Sequence, residues 1–281
     1  MVAHIPVLVH AVTEYLNLKP NQTLIDCTLG FGGHSSHLSS LTSHLKIIGI
    51  DQDNDAIQGQ QGIQVKKGNF KNLKELVKEK VDGILFDLGV SSYQIDTAER
   101  GFSFRFDGPL DMRMGQDIRE SGEREIRAQD IIEQSSEDEL YRIFKEYGEE
   151  RYSKRIARRV KDKLPRTTFG LKEIVERAIP GWRKRESVSR IFQALRIVVN
   201  NELENLKIAL PQAVELLNPG GRIVVISYHS LEDRIVKHFF RECQKNAILK
   251  LLTKKPVLAG ADEIKDNPRS KSAKLRAAEK V

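Results

Sequence analysis

Three short stretches hold the side chains best placed for chemistry. Thr28-Leu-Gly-Phe-Gly-Gly-His34 follows the apolar run Leu24-Ile-Asp26 and strips the backbone of side chains at Gly30, Gly32 and Gly33, so a ligand can approach closely. Ile47-Ile-Gly-Ile-Asp51 is a second apolar run ending in an acid. Asp51 lies 21 positions after Gly30, near the spacing of about 20 expected of a carboxylate that accepts the hydroxyl hydrogens of a ribose. Ser35 stands where G-x-G-x-x-G requires its third glycine, which counts against NAD. A cofactor with a ribose but no pyrophosphate, such as S-adenosylmethionine, needs less backbone cradle and fits better. The bland alternative is a plain tight turn, and Asp51 at its spacing argues against that.

The third stretch, Gly83-Ile-Leu-Phe-Asp87, ends in another acid and runs on through Leu-Gly-Val-Ser-Ser92 to Gln94. Ligands of open α/β sheets sit beyond the carboxyl ends of the strands, so Asp87 is expected in the same crevice as Gly32 and Asp51, with capping of the next turn as its structural alternative. Tyr228-His-Ser-Leu-Glu-Asp-Arg234 follows a later apolar run and should open a helix at the crevice mouth. There His229, Ser230 and Arg234 are candidates for substrate contact. The histidines form no H-E-x-x-H and no i, i+4 pair, so no metal is expected. Nucleophile-elbow and Walker sequences are missing too, which leaves hydrolase and NTPase readings without support.

These residues need strands behind them. The pattern predicts strands over Thr23–Thr28, Lys46–Ile50, Gly62–Lys66, Gly83–Asp87 and Arg222–Ser227. A helix precedes them over Val7–Leu16, and helices or helical linkers intervene over Ser35–Leu45, Asn54–Gln61 and Lys71–Lys80. Alternating strand and helix imply an α/β fold with a parallel sheet and crossover helices. The alternation stops after Ser92. A Gly-, Asp- and Phe-rich loop runs to about Gly115, followed by helical patterns over Ala128–Tyr147, Arg151–Lys163, Leu171–Ala178 and Ser189–Leu217, with Pro211 expected to start a second helix inside the last. The economical reading is a helical domain inserted between the fourth and fifth strands. Asn267–Arg276 reads as a basic tail.

Composition sets the bounds. The 281 residues are 40% hydrophobic and 30% charged, and no apolar run approaches the roughly 20 residues of a membrane span. Met1-Val-Ala-His-Ile-Pro lacks the basic start and apolar centre of a signal peptide, and Cys27 and Cys243 form no C-x-x-C pair, so a cytoplasmic, reducing setting is expected. The net charge of +7 is unevenly spread. Residues 117–150 hold 5 basic against 12 acidic side chains, whereas 151–196 hold 15 against 4. So large a local excess is the footprint of a polyanion partner, in preference to an ordinary solvated helix face.

Thr28-Leu-Gly-Phe-Gly-Gly-His34, Asp87-Leu-Gly-Val-Ser-Ser92, Arg100-Gly-Phe-Ser-Phe104, Asp107-Gly-Pro-Leu-Asp-Met-Arg-Met114, Tyr147-Gly-Glu-Glu-Arg151, Phe192-Gln-Ala-Leu-Arg196 and His229-Ser-Leu-Glu-Asp-Arg-Ile-Val-Lys237 together resemble the RsmH (MraW) family, in order and over nearly the whole chain. The resemblance implies a Rossmann-like methyltransferase core with a helical insertion, S-adenosylmethionine as cofactor, and methylation of the N4 amine of a cytidine in the decoding region of small-subunit (16S) ribosomal RNA. It places Gly32, Gly33 and His34 around the methionine and ribose, Asp51 on the ribose, Phe70 beside the adenine, and Asp87 and Gln94 at the remaining contacts. On this reading residues 1–107 and 197–281 form the core and 108–196 the RNA-binding insert, with Arg155, Arg158 and Arg159 on the RNA. The partner is 16S ribosomal RNA or the small ribosomal subunit. Tyr228 stands where the family usually has Phe, Ser189-Arg-Ile-Phe192 replaces Thr-Arg-Thr-Phe, and Phe104-Arg-Phe-Asp107 reorders Phe-Met-Arg-Asp.

A cytosine N4 lone pair is delocalised into the ring, so an enzyme helps by accepting hydrogen bonds from the amino hydrogens as the nitrogen becomes pyramidal. Asp87 or Ser91 is the expected acceptor. Phe102, Phe104, Phe106 or Tyr228 could hold the base, although each could equally serve the core. The competing readings are an amino-methyltransferase acting on DNA or another RNA, a non-catalytic ribosome-assembly factor, and an NAD-dependent oxidoreductase. The lack of an Asp-Pro-Pro-Tyr-type turn after the fourth strand counts against the DNA version of the first, the intact Gly32, Gly33, Asp51 and Asp87 against the second, and Ser35 against the third.

Overall fold

A computed structural model describes residues 6–58, 60–115 and 126–281. Met1–Ile5 of the start read above, and Gly59 of the helix expected over Asn54–Gln61, lie outside them. Along the chain the elements are α1 (Val9–Leu16), β1 (Thr23–Asp26), α2 (Gly33–Leu41), β2 (Lys46–Asp51), α3 (Asn54–Ile57), β3 (Gln64–Lys67), α4 (Leu73–Leu76), β4 (Val81–Asp87) and α5 (Ser92–Asp96). Then come α6 (Ala128–Gln134), α7 (Glu137–Glu146), α8 (Ser153–Lys163), α9 (Thr168–Ala178), α10 (Lys184–Asn200) and α11 (Glu202–Leu216). The chain closes with β5 (Leu217–Ser227), α12 (Ser230–Lys245), β6 (Leu249–Leu251), α13 (Ala261–Asp266) and β7 (Lys274–Lys280). It divides into two compact units, Met1–Gly89 with Leu203–Val281, and Val90–Glu202. Residues 90–107 group with the insert.

The first unit is a seven-stranded sheet in the order β3-β2-β1-β4-β5-β7-β6. Strands β1 to β5 pair in parallel, and their near-continuous apolar runs fit a sheet covered on both faces. One core layer joins Ile25, Ile48, Ile84 and Phe86 to Leu206, Leu210 and Val236, and the other joins Leu24, Ile47, Leu85 and Val224 to Val12, Leu16 and Leu38. From β1 the chain winds outward through β2 and β3, then returns to place β4 on the other side of β1. That reversal leaves a crevice beyond the ends of β1 and β4, where such sheets bind ligands. Within the second unit, helices α6 to α10 enclose a separate core around Phe144, Ile156, Leu171, Val188 and Leu195.

Several expectations need correction. The sheet is mixed, because the presumed basic tail runs through a 3-10 turn (Pro268–Ser272) into β7, which pairs antiparallel with both β5 and β6. Leu275, Ala277 and Ala278 are fully buried there, and Arg276 is tied to Asp233 by two hydrogen bonds of 2.7 and 3.2 Å. The helix expected over Ala128–Tyr147 breaks at Ser135-Ser136. Ser136 caps α7 and its backbone N–H donates to Glu139, a reciprocal box that satisfies donors a continuous helix would leave no room for. The long helix after Val188 starts earlier, at Lys184, and stops at Asn201, whose φ of 50° is left-handed. Pro211 lies inside α11 and does not begin a helix. Its missing N–H removes one intrahelical bond, too little to end a helix packed on the sheet.

If β7 is a packed strand, Leu275→Ala should cost about 2–5 kcal/mol of stability in urea unfolding. A loss below about 0.5 kcal/mol is what a solvated tail would give.

Candidate active site

The turn after β1 is built to bring backbone to the crevice. Gly32 has φ +75° and precedes the first residue of α2, and a Cβ there would lie 2.4 Å from the side-chain oxygen of Gln60. The left-handed backbone favours glycine, and any side chain would also displace the Gln60 amide. Gln60 donates to the carbonyls of Ala56 (3.0 Å) and Gly30 (3.3 Å), so its side chain steadies the turn. Gly33 packs against Pro6. Ser35, which breaks the dinucleotide motif, is fully buried and donates to Asp26 at 2.7 Å. A glycine would leave that buried carboxylate short of a partner. Burial pushes the Asp26 carboxyl above its usual value.

Asp51 ends β2 and answers the same turn. Its carboxylate accepts the Gly30 N–H at 2.8 Å and the Asp53 N–H at 2.9 Å. Burial raises its carboxyl to about 6, against the opposing pull of those two hydrogen bonds. Because this lies above the usual 3.8, the stability the group contributes is full below pH 4 and is lost as pH rises to about 6. A carboxylate offers about four lone-pair positions, so two remain for a diol. Phe70 lies beyond β3 and packs edge-on against Phe86 at 5.6 Å, directly before Asp87.

Asp87 ends β4 with its backbone N–H on the Thr28 hydroxyl at 2.7 Å. The Tyr228 hydroxyl donates to its Oδ1 at 2.7 Å, and His34 Nδ1 stands 3.5 Å from its Oδ2. A carbonyl only accepts, so His34 Nε2 donates in its 2.9 Å contact with the Val7 carbonyl. Burial and the adjacent Asp87 push the Tyr228 phenol well above its usual value, which keeps it a donor. About a quarter of the Asp87 side chain stays exposed. The polar tip that Tyr228 carries where the resemblance has Phe thus has a structural consequence: its hydroxyl is held by Asp87.

His229 is buried and caps α12, its imidazole beside Glu232, whose carboxylate accepts the backbone N–H groups of Tyr228 (2.8 Å) and His229 (3.3 Å). Ser230 begins the helix, and Arg234 lies on its exposed side. In the second unit, Ser91 caps α5 and exchanges hydrogen bonds with Gln94, which is buried. Arg155, Arg158 and Arg159 line a groove of about 750 Å³ between α8 and α9, joined by Lys163 and Arg177 and opposed by Asp162 and Glu173. Phe102 and Phe104 pack on the insert core, whereas Phe106 is exposed. Thr28, Ser35 and Gln60, which steady the crevice, were not foreseen. A Thr or Ser at a strand end is too common to flag, and Gln60 is distant from the turn in sequence.

A doubly wound sheet with a glycine turn, a carboxylate on the next strand and a second carboxylate across the switch point defines a Rossmann-like, S-adenosylmethionine-dependent methyltransferase. The chain matches the model of the MraW methylase family over residues 1–281 and belongs to that family. A protein of Carboxydothermus hydrogenoformans named ribosomal RNA small subunit methyltransferase H is 45% identical over 313 residues, covering 99% of this chain and 98% of its own. A protein of the same name from Thermotoga neapolitana is 47% identical over 297 residues, covering 99% and 96%. Among solved structures, an rRNA methylase from Streptococcus thermophilus covers 99% of both chains at 11% identity, with a TM-score of 0.46. No helix among the described residues is long and apolar enough to cross a membrane.

The acceptors present fit the cofactor: the Asp51 carboxylate has lone pairs to accept from ribose hydroxyls, and the Asp87 carboxylate is suited to its cationic portion. Affinity for S-adenosylmethionine should therefore fall as pH drops through about 6, where Asp51 takes up a proton. Asp51→Asn should bind about 1.5–3 kcal/mol more weakly and lose that pH step. Calorimetry across this range checks both, and an unchanged step in the variant would assign the titration to another group.

Proposed function

We propose that this chain transfers a methyl group from S-adenosylmethionine to the N4 amine of a cytidine in the decoding region of 16S ribosomal RNA. Two relatives at 45% and 47% identity carry the name of a small-subunit ribosomal RNA methyltransferase, and the motif resemblance supplies the base, the atom and the region. The observation that carries the chemistry is Asp87, a partly exposed carboxylate fixed at the end of β4 by the Tyr228 hydroxyl.

The bound cofactor supplies an electrophilic methyl group on a sulfonium. The chain has to present the amine in line with it and hold developing positive charge on nitrogen. Asp87 is suited to accept an amino hydrogen and to take up that charge, because an ionised acceptor makes the stronger hydrogen bond. Ser91 is the weaker candidate. Its hydroxyl oxygen already accepts the Gln94 N–H, which leaves it less free to receive a second hydrogen. No strong base is needed beforehand, since the proton becomes acidic as the new bond forms. The target base has to leave its stack to reach the crevice. Arg155, Arg158 and Arg159 are suited to hold the RNA backbone, their groove carrying five cations against two carboxylates. His229 is buried beside Glu232, and the exposed Arg234 is the better placed of this segment's candidates for substrate contact.

Mass spectrometry of ribosomal RNA nucleosides is the direct test. Cells lacking the gene should lose an N4-methyl group from a cytidine of 16S ribosomal RNA and regain it on complementation. An unaltered nucleoside profile would refute the assignment.

A further inference from the structure

Trp182 is the only tryptophan of the chain, and 81% of its surface faces solvent. Tryptophan is among the most buried residues on average, and so much apolar surface in water opposes folding. The insert does not need the indole for its own packing. Its buried core passes from Ala178 and Ile179 to Val188 without it. The Arg183 guanidinium lies 5.1 Å from the indole centroid, and Arg183, Lys184 and Arg185 follow one another, all exposed. Among the described residues none of these three forms an ion pair. Cations at the start of a helix oppose the peptide dipoles, so the stability of α10 does not account for the run.

We propose that Trp182 with Arg183, Lys184 and Arg185 is a stacking site for an unpaired RNA base, the indole taking the base and the cations its flanking phosphates. Every nucleobase has a π-face, and aromatic platforms set beside cations are how proteins hold single strands without reading their sequence. Charge complementarity favours this occupant, since residues 151–196 hold 15 basic against 4 acidic side chains. Arg177, on the wall of the α8–α9 groove, precedes Trp182 by five residues, so the two lie no more than about 18 Å apart. One strand can run along the groove and end on the indole. Phe169, 43% exposed with the Lys172 ammonium 5.5 Å from its ring, repeats the pairing on α9. The proposal rests on the RNA reading above and adds an interaction that reading does not name.

Because the indole is unique, emission excited at the red edge reports on this site alone. A single-stranded RNA of about a dozen nucleotides should quench it saturably, whereas a blunt RNA duplex of the same length, with its bases stacked inside, should quench far less. In anisotropy titrations with a labelled single strand, Trp182→Ala should bind about five- to fifty-fold more weakly and Trp182→Phe should recover most of that loss. Replacing Arg183, Lys184 and Arg185 with Ala should flatten the salt dependence by about 0.7 in slope for each phosphate no longer neutralised. Each variant should keep the S-adenosylmethionine affinity of the unaltered chain, which separates weakened RNA binding from misfolding. Methylation of small-subunit RNA by the unaltered chain is followed in parallel. Its absence would count against the RNA reading, while the quench still reads the stacking site directly. Methylation with an unquenched indole and a Trp182→Ala variant of normal affinity would overturn the stacking site alone. So would an emission change that follows protein concentration without RNA, which would make this surface an interface between copies of the chain.

Discussion

The first unit depends on keeping three carboxylates together at the ends of neighbouring parallel strands. Asp26, Asp51 and Asp87 close β1, β2 and β4, and each of these strands pairs directly with β1 or is β1. Burial at the ends of apolar strands penalises the charged forms of Asp26 and Asp51, and the neighbouring acids add a smaller repulsion. Each acid is therefore met by its own donors: Ser35 and the Thr28 N–H for Asp26, the Gly30 and Asp53 N–H groups for Asp51, and the Tyr228 hydroxyl for Asp87. The glycine turn, the buried serine and the polar end of β5 all follow from that need.

The cluster also bears on the ligand. Holding Asp51 at about 6 and Asp26 above its usual value means that the fold gains nothing from ionising them. We propose that a ligand bringing positive charge and hydroxyl donors offsets the cost of burying these acids, and S-adenosylmethionine brings a sulfonium, an ammonium and a ribose.

How far the sequence could be read followed from where the forces lie. Leu24–Asp26, Ile47–Asp51 and Ile84–Asp87 were legible because a buried parallel strand is a plain apolar run, and its terminal acid breaks that run. Strand β7 was not legible. Lys274-Leu-Arg-Ala-Ala-Glu-Lys280 is short, alanine-rich and flanked by cations, and its burial comes from pairing with β5, some fifty positions earlier. The break at Asn201 was hidden by the obvious Pro211, because a left-handed residue between two helices carries a weaker signal than proline. Asp51 stood out by its spacing from Gly30, and Asp87 by its place at the end of an apolar run. The roles of Ser35, Gln60 and Tyr228 around them did not, since they arise only when distant segments meet.

The most direct test of the role given to Asp87 is the single-turnover methylation rate of Asp87→Asn, measured at several S-adenosylmethionine concentrations. Asn keeps the size and one acceptor oxygen but removes the charge. The expected result is a rate lower by about 2–3 kcal/mol in transition-state stabilisation, on the order of 100-fold, that persists when the cofactor is saturating. Full recovery of the rate with excess cofactor would contradict it, leaving Asp87 as a cofactor anchor and moving the acceptor to Ser91.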